Sequence, residues 1–288
     1  MIPGSFAYHR PKSLEDAVHL LADLGEEARA LAGGHSLIPM MKLRLAAPEH
    51  LVDLAGIGDL KGVREEGGDI VIGAMTTQHE LVHSALLGTK IPILSEASLL
   101  IADPQVRYMG TIGGNVANGD PGNDMPAVML CLGATYHVVG KGGERRVAAR
   151  EFYEGAYFTA LEPGEILTSI RISVPAAGHG YAYEKLKRKI GDYATAAAAV
   201  VLTMNADKVA SCSIGLTNVA ETPLLAEEAA KILTGSSLDA AAVKKAVAAA
   251  EAITSPASDN RGPARYRTKM AGVMLARALS RARLRARA

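Results

Sequence analysis

The 288-residue chain has no tryptophan and three phenylalanines, and its aromatic share is 4%. Its interior must be built mainly from Ala, Leu, Val and Ile, so any tyrosine near a glycine-rich turn stands out. It has two cysteines, Cys131 and Cys212. Two cannot ligate an iron–sulfur cluster alone, and they argue against a cysteine-rich zinc site. Both sit in apolar contexts, Val-Met-Leu-Cys131-Leu and Ala-Ser-Cys212-Ser-Ile, and read as buried free thiols in a reducing compartment. The eight histidines are scattered, and no metal site is expected. Neither charge sign is in excess, with 31 Lys+Arg against 30 Asp+Glu, which argues against a nucleic-acid partner. No apolar run reaches the roughly 18 residues of a membrane span. No apolar stretch marks a signal peptide, so a cytoplasmic protein is expected.

Other absences narrow the chemistry. No Gly-x-Gly-x-x-Gly follows a strand, no Gly-x-x-x-x-Gly-Lys-Ser/Thr occurs, and no Gly-x-Ser-x-Gly occurs. The dinucleotide fingerprint, the P-loop and the hydrolase elbow are therefore excluded.

The chain length suggests about two domains. Ser13-Leu14-Glu15-Asp16 fits a capped helix start, and Gly25 ends that helix. Ala28–Ala32 reads as a short strand, 38–45 as a short helix and 51–54 as a strand. The stretch 62–72 reads as a hairpin around Glu-Gly-Gly-Asp. Helices are expected over 76–86 and 93–101. Gly110–Pro126 reads as a long ordered loop, a kind that is usually functional. Strands follow over 134–139, 145–148 and 166–174. Pro175–Gly180 is the best domain boundary. Beyond it come a hairpin of strands over 194–204 and 209–219, helices over 223–233 and 238–253, and a last helix over 266–284. That helix ends in Arg277, Arg281, Arg283, Arg285 and Arg287, which read better as a solvated helix end than as an anion- or membrane-binding patch.

Two loops carry paired glycines. The first is Leu31-Ala32-Gly33-Gly34-His35-Ser36-Leu37, between a strand and a short helix. The second is Gly110-Thr111-Ile112-Gly113-Gly114-Asn115-Val116-Ala117-Asn118-Gly119. Paired glycines bring backbone close to a ligand, and successive N–H groups form an anion nest. Either loop alone reads equally well as a tight turn. Together they suit a ligand with two phosphates and bulk on either side. Asp124 follows as an acceptor for a ribose or ribityl hydroxyl, or as a turn or helix-cap acid before Pro126. A strand through Tyr181, Tyr183 and Lys185 puts these on one face. Lys185 would bring positive charge to an electron-rich ring or a phosphate, and Tyr193 would stack on a flat ring. Lys187, Arg188 and Lys189 read as an exposed basic segment.

Ala32-Gly33-Gly34-His35-Ser36 followed by Thr111-Ile112-Gly113-Gly114-Asn115 resembles the FAD-binding subunits of molybdenum hydroxylases, the xanthine dehydrogenase group. The likeness extends over nearly the whole chain. It includes the opening Met1-Ile-Pro-Gly-Ser-Phe-Ala-Tyr-His-Arg, the stretch Leu37-Ile-Pro-Met-Met-Lys-Leu-Arg-Leu45 and the Ala-rich C-terminal part. The resemblance implies an α+β fold. A two-part FAD-binding domain of the vanillyl-alcohol oxidase and p-cresol methylhydroxylase type would span 1–176, with subdomains 1–56 and 57–176. A small domain with an antiparallel sheet and a helical bundle would span 177–288.

It also implies roles. Ala32, Gly33, Gly34, His35 and Ser36, with Thr111, Ile112, Gly113, Gly114 and Asn115, would hold the FAD pyrophosphate through backbone amides and hydroxyls. Asp124 would accept from the flavin's hydroxyl-bearing chain or the adenosine ribose. Ile101 would pack near the isoalloxazine. Lys185 and Tyr193 would lie on its C-terminal side. No substrate-oxidising residue is expected here. A large partner would carry the molybdenum cofactor and oxidise the substrate, and a small partner would carry two [2Fe-2S] clusters. Two such heterotrimers would pair, with electrons leaving FAD for an external quinone or cytochrome acceptor. Two competitors stay open. One is a self-sufficient flavin oxidase of the same fold. The other is a non-catalytic binding protein whose glycines serve only as turns.

Overall fold

The computed structural model describes residues 2–286. Three sheets organise the chain. In the first, His50–Asp53 lies between Ala7–His9 and Ala28–Leu31, all parallel. The crossover that parallel neighbours need, from Ala28–Leu31 to His50–Asp53, contains the helix Leu37–Lys42, and the helix Leu14–Leu24 connects the two outer strands. Ser13 caps that helix by accepting from the Asp16 N–H at 3.1 Å, and Gly25 leaves it at φ 57°. Ala17, Val18 and Leu21 are buried and share one core with Val52, Ile57, Leu60, Met75 and Ile166. That core joins the first sheet to the second.

The second sheet is antiparallel, in the order Val63–Glu66, Asp69–Gly73, Ile166–Ser173, Thr135–Gly140, Gly143–Ala148. Its first hairpin turns on Gly67 and Gly68, both at positive φ, as the Gly-Gly pair predicts. Short helices, including Pro92–Leu100 and Asp124–Cys131, cover this sheet. The third sheet is also antiparallel: Gly180–Leu186, Ala196–Asn205, Lys208–Thr217 and Leu224–Leu225. Helices Glu227–Leu233, Ala240–Ala252 and Ala264–Arg285 share an Ala- and Leu-rich core with it. Its other face meets Asp124–Cys131 so closely that a Cβ on Gly215 would stand 2.1 Å from the Ala127 carbonyl oxygen.

Three expectations are corrected. The stretch Gly110–Pro126 is not an irregular loop. It contains the helix Ile112–Ala117 and the start of Asp124–Cys131. Thr111 caps the former by accepting from the Gly114 N–H at 3.0 Å. Pro126 is harmless in the latter because first-turn N–H groups have no intrahelical partner. The helix expected over 76–86 is two, Gln78–His83 and Ala85–Lys90. Ser84, in extended backbone, breaks the first and caps the second.

The basic end of the last helix is more than a solvated terminus. Arg281 pairs with Glu184 and Glu96, and Arg285 pairs with Glu96 at 2.7 Å. Arg285 also donates to the Tyr181 carbonyl and lies over its ring at 4.4 Å. These residues clamp the last helix to the helix Pro92–Leu100. Arg287 lies outside the described residues.

Candidate functional site

A cavity of about 660 Å³ opens where elements of the three sheets meet. Every residue given a cofactor-holding role from the sequence lines it except Ile112. Ile112 is fully buried in the hydrophobic core and anchors its short helix from behind.

The two glycine loops meet each other. A Cβ on Gly33 would stand 2.2 Å from the Met109 carbonyl oxygen and 2.8 Å from the Gly110 Cα. On Gly114 it would stand 2.9 Å from Thr111 Oγ1 and 3.3 Å from the Ala32 Cβ. On Gly113 it would strike Ala74. Of the four glycines, Gly34 takes positive φ, 74°. Neither Gly33 nor Gly114 takes positive φ, and a Cβ on either would meet protein atoms first. They are glycine because one loop lies on the other.

Around this floor, side chains are partly committed to the fold. His35 Nδ1 lies 2.8 Å from the Gly33 carbonyl oxygen. Asn115 Oδ1 accepts from the Met125 N–H, and its carbonyl accepts from Asn123 Nδ2 at 2.8 Å. Ser36 precedes the helix Leu37–Lys42 without capping it.

The opposite wall comes from the third sheet. Lys185 Nζ donates to Asp124 Oδ2 at 2.7 Å and to the Leu100 carbonyl at 3.2 Å. Tyr183 donates to Asp124 Oδ1 at 2.5 Å. The Lys185 and Asp124 side chains are 1% and 5% exposed. Burial, with Asp124 beside it, pushes the Tyr183 phenol well above its ordinary pKa. Asp124 is thus first a partner of the C-terminal sheet, through the Tyr183 and Lys185 face that period-two alternation predicts. Tyr193 covers Gly122, where a Cβ would stand 2.8 Å from its ring. The Arg261 guanidinium lies 5.7 Å from the ring centroid. Burial, then Asp120, pushes the Tyr193 phenol upward.

Sequence reasoning missed Gln78, Asn123 and Tyr157, which also line the cavity. None stands in a recognisable motif. It also took His-Glu-x-x-His to be absent, whereas His79-Glu80-Leu81-Val82-His83 has this spacing of a zinc-protease helix. Here Glu80 is spent in a capping box with Thr77. His79 stacks on Tyr108 at 4.1 Å, and His83 Nδ1 lies 2.8 Å from the His79 carbonyl oxygen. Among the described residues the group of potential metal ligands that does gather is Glu27, Glu49 and His50, on the first sheet and not on the cavity wall.

The cavity fits an elongated dinucleotide. Its floor is glycine backbone flanked by the Ser36 and Thr111 hydroxyls, the Lys185–Asp124 pair closes the opposite wall, and Tyr193 supplies a flat face. The amide nitrogen of Gln78 is buried on the wall without a partner.

Comparisons agree with this geometry. Residues 4–176 match the FAD binding domain in molybdopterin dehydrogenase, and residues 181–282 match the CO dehydrogenase flavoprotein C-terminal domain. The carbon monoxide dehydrogenase medium chain of Afipia carboxidovorans is 73% identical over 287 residues, covering 100% of both chains. The glyceraldehyde dehydrogenase medium chain of Sulfolobus acidocaldarius is 34% identical over 96% of this chain and 98% of its own. A solved structure of reconstituted CO dehydrogenase from Oligotropha carboxidovorans superposes with a TM-score of 0.99 at 74% identity. It covers 99% of this chain and 100% of its own. This chain belongs to the FAD-binding medium chains of the molybdopterin dehydrogenase family.

Proposed function

We propose that this chain is the FAD-carrying, electron-transferring subunit of an aerobic carbon monoxide dehydrogenase. The stretch Ala32-Gly-Gly-His-Ser-Leu-Ile-Pro-Met-Met-Lys-Leu-Arg-Leu45 already has the wording of such medium subunits, and the 73% identity over full length supports it. The observation that carries the reading is the contact of Gly33 with Met109 and Gly110, which joins the two glycine loops into one floor. When bound, FAD supplies a centre that exchanges electrons singly or in pairs.

The chain's residues hold and orient it. Backbone N–H groups around Ala32–Ser36 and the hydroxyls of Ser36 and Thr111 would donate to the pyrophosphate. In the second loop the N–H groups of Ile112, Gly113, Gly114 and Asn115 are already spent on Thr76, Ala74 and Thr111, which corrects the reading of that loop as an amide nest. Ile101 and Tyr193 bracket the ring and exclude water. Lys185 fixes positive charge at the wall, and Asp124 and Tyr183 set its position. Asp124 lone pairs left by these two donors take a hydroxyl of the cofactor. We divide the chain into 1–56, 57–176 and 177–288, and Ile101 and Tyr193 line the cavity from the last two parts.

Electrons arrive from a small partner with two [2Fe-2S] clusters. A large partner with the molybdenum cofactor oxidises the substrate, and two heterotrimers pair. An external quinone or cytochrome takes the electrons. Among the described residues no helix is long and apolar enough to cross a membrane. A cytoplasmic location, with peripheral attachment to the inner membrane face, completes the proposal.

The test is cofactor and metal analysis of the chain co-purified with its neighbours, followed by assay with carbon monoxide and a dye acceptor. Flavin, molybdenum and iron in one complex that oxidises carbon monoxide support the reading. A yellow single chain without metals overturns it in favour of a stand-alone flavin enzyme.

A further inference from the structure

Gln78 is 1% exposed, and its amide nitrogen has no hydrogen-bond partner. Its amide oxygen accepts from Ser98 Oγ at 2.9 Å, and its backbone N–H donates to the Gly110 carbonyl at 2.8 Å. The side chain is therefore pinned at both ends of its reach. Unpaired buried donors are destabilising and rare in folded proteins, so each asks for a reason. The other buried orphan atoms among the described residues are on His137, His179 and Arg261. None of these residues lines the cavity, and Gln78 does. It stands next to the second glycine loop, and Ser98, which orients it, lies one helical turn before Ile101.

We infer that Gln78 is a cofactor-binding residue whose amide nitrogen donates to an oxygen of bound FAD. This rests on the FAD reading above. The acceptor is a pyrophosphate oxygen or a ring carbonyl, which share the same hydrogen-bond chemistry. The fold carries an unsatisfied donor so that the bound state can satisfy it. Ser98 acts as a positioning residue, holding the amide oxygen so that the nitrogen faces the cavity.

The test uses the assembled complex, stripped of FAD and titrated with it. Gln78→Met keeps the volume and removes the donor. Gln78→Glu keeps the shape and presents acceptors only. Both are expected to raise the FAD dissociation constant about tenfold or more, the worth of one hydrogen bond. The FAD-free Gln78→Met complex is expected to melt close to wild type, because it sheds an unpaired buried donor but leaves the Ser98 hydroxyl without its acceptor. A shift of the flavin absorption maxima alongside the lost affinity places the acceptor on the ring. Unchanged maxima with lost affinity place it on the pyrophosphate. Wild-type FAD affinity in Gln78→Met overturns the inference, and so does wild-type affinity in Gln78→Glu, which would make the cavity-facing atom an acceptor. A wild-type complex that holds no flavin fails the FAD reading itself, a separate result.

Discussion

Lys185 donates to Asp124 at 2.7 Å across the seam between the third sheet and the helix Asp124–Cys131, with both side chains almost wholly buried. The Tyr183 phenol occupies the carboxylate's other oxygen. A buried pair is costly to desolvate, and removing one partner leaves the other charge uncompensated. Lys185→Met and Asp124→Leu are each expected to lower stability by about 3–5 kcal/mol. The double variant should lose much less than the sum. Urea unfolding of the four proteins measures this as a double-mutant cycle. Additive losses would mean that the two residues act independently.

The glycine floor gives a graded prediction. Gly33→Ala forces its Cβ onto a backbone carbonyl at 2.2 Å, so the two loops must separate. A loss of about 1–3 kcal/mol in stability is expected, together with loss of FAD retention. Gly114→Ala meets softer neighbours, Thr111 Oγ1 and the Ala32 Cβ, and should keep more of both. Flavin content per chain and the thermal midpoint of each variant decide it. Equal behaviour of the two variants would remove the loop-to-loop contact as the reason for these glycines.

Much of the cavity was legible because it is built from backbone. Paired glycines, a strand before and a helix after are visible in any single chain, and so is the alternation that puts Tyr183 and Lys185 on one face. Gln78 was not legible. Its role follows from what it lacks, a partner for one buried atom, and no spacing rule reports a missing hydrogen bond. The break at Ser84 was missed because Leu81, Val82, Ala85 and Leu86 keep helical spacing across it. Ser84 turns extended there, and its side chain caps the next helix by accepting from the Leu87 N–H. The zinc-like string at His79–His83 shows the converse, since a matching motif is consumed by a capping box and a ring stack.

The clamp at the C-terminus should be salt-sensitive. Arg281 is 43% and Arg285 30% exposed, facing Glu96 and Glu184 at 17% each. Partly exposed pairs are screened, so Arg281→Gln with Arg285→Gln should cost only about 1 kcal/mol of stability. The visible effect is local. Amide exchange in 275–285 and in the strand Gly180–Leu186 should rise in the variant, and wild type should approach it in high salt. Unchanged exchange would reduce the arginines to surface decoration.

The two thiols set an alkaline limit. Burial pushes Cys131 and Cys212 from 9.0 up to about 12. Cys131 also donates to the Ser213 carbonyl at 3.3 Å, which favours the protonated form. At neutral pH buried Cys131 should resist maleimide or disulfide reagents in the folded protein. Cys212, which is half-buried and not buried as its sequence context suggests, should react slowly, and both should react fully once the chain unfolds. Above pH 9 the unfolded chain gives up these protons and the folded chain keeps them. The unfolded state then binds fewer protons, so stability falls as pH rises, and the loss continues until the folded thiols ionise near 12. Each thiol contributes a slope of about 1.4 kcal/mol per pH unit in that window. Replacing Cys131 by Ala removes its share. Urea midpoints measured from pH 8.5 to 10.5, wild type against Cys131→Ala, should converge as pH rises. Parallel curves would mean that Cys131 ionises as easily folded as unfolded, and that its burial in the core carries no electrostatic consequence.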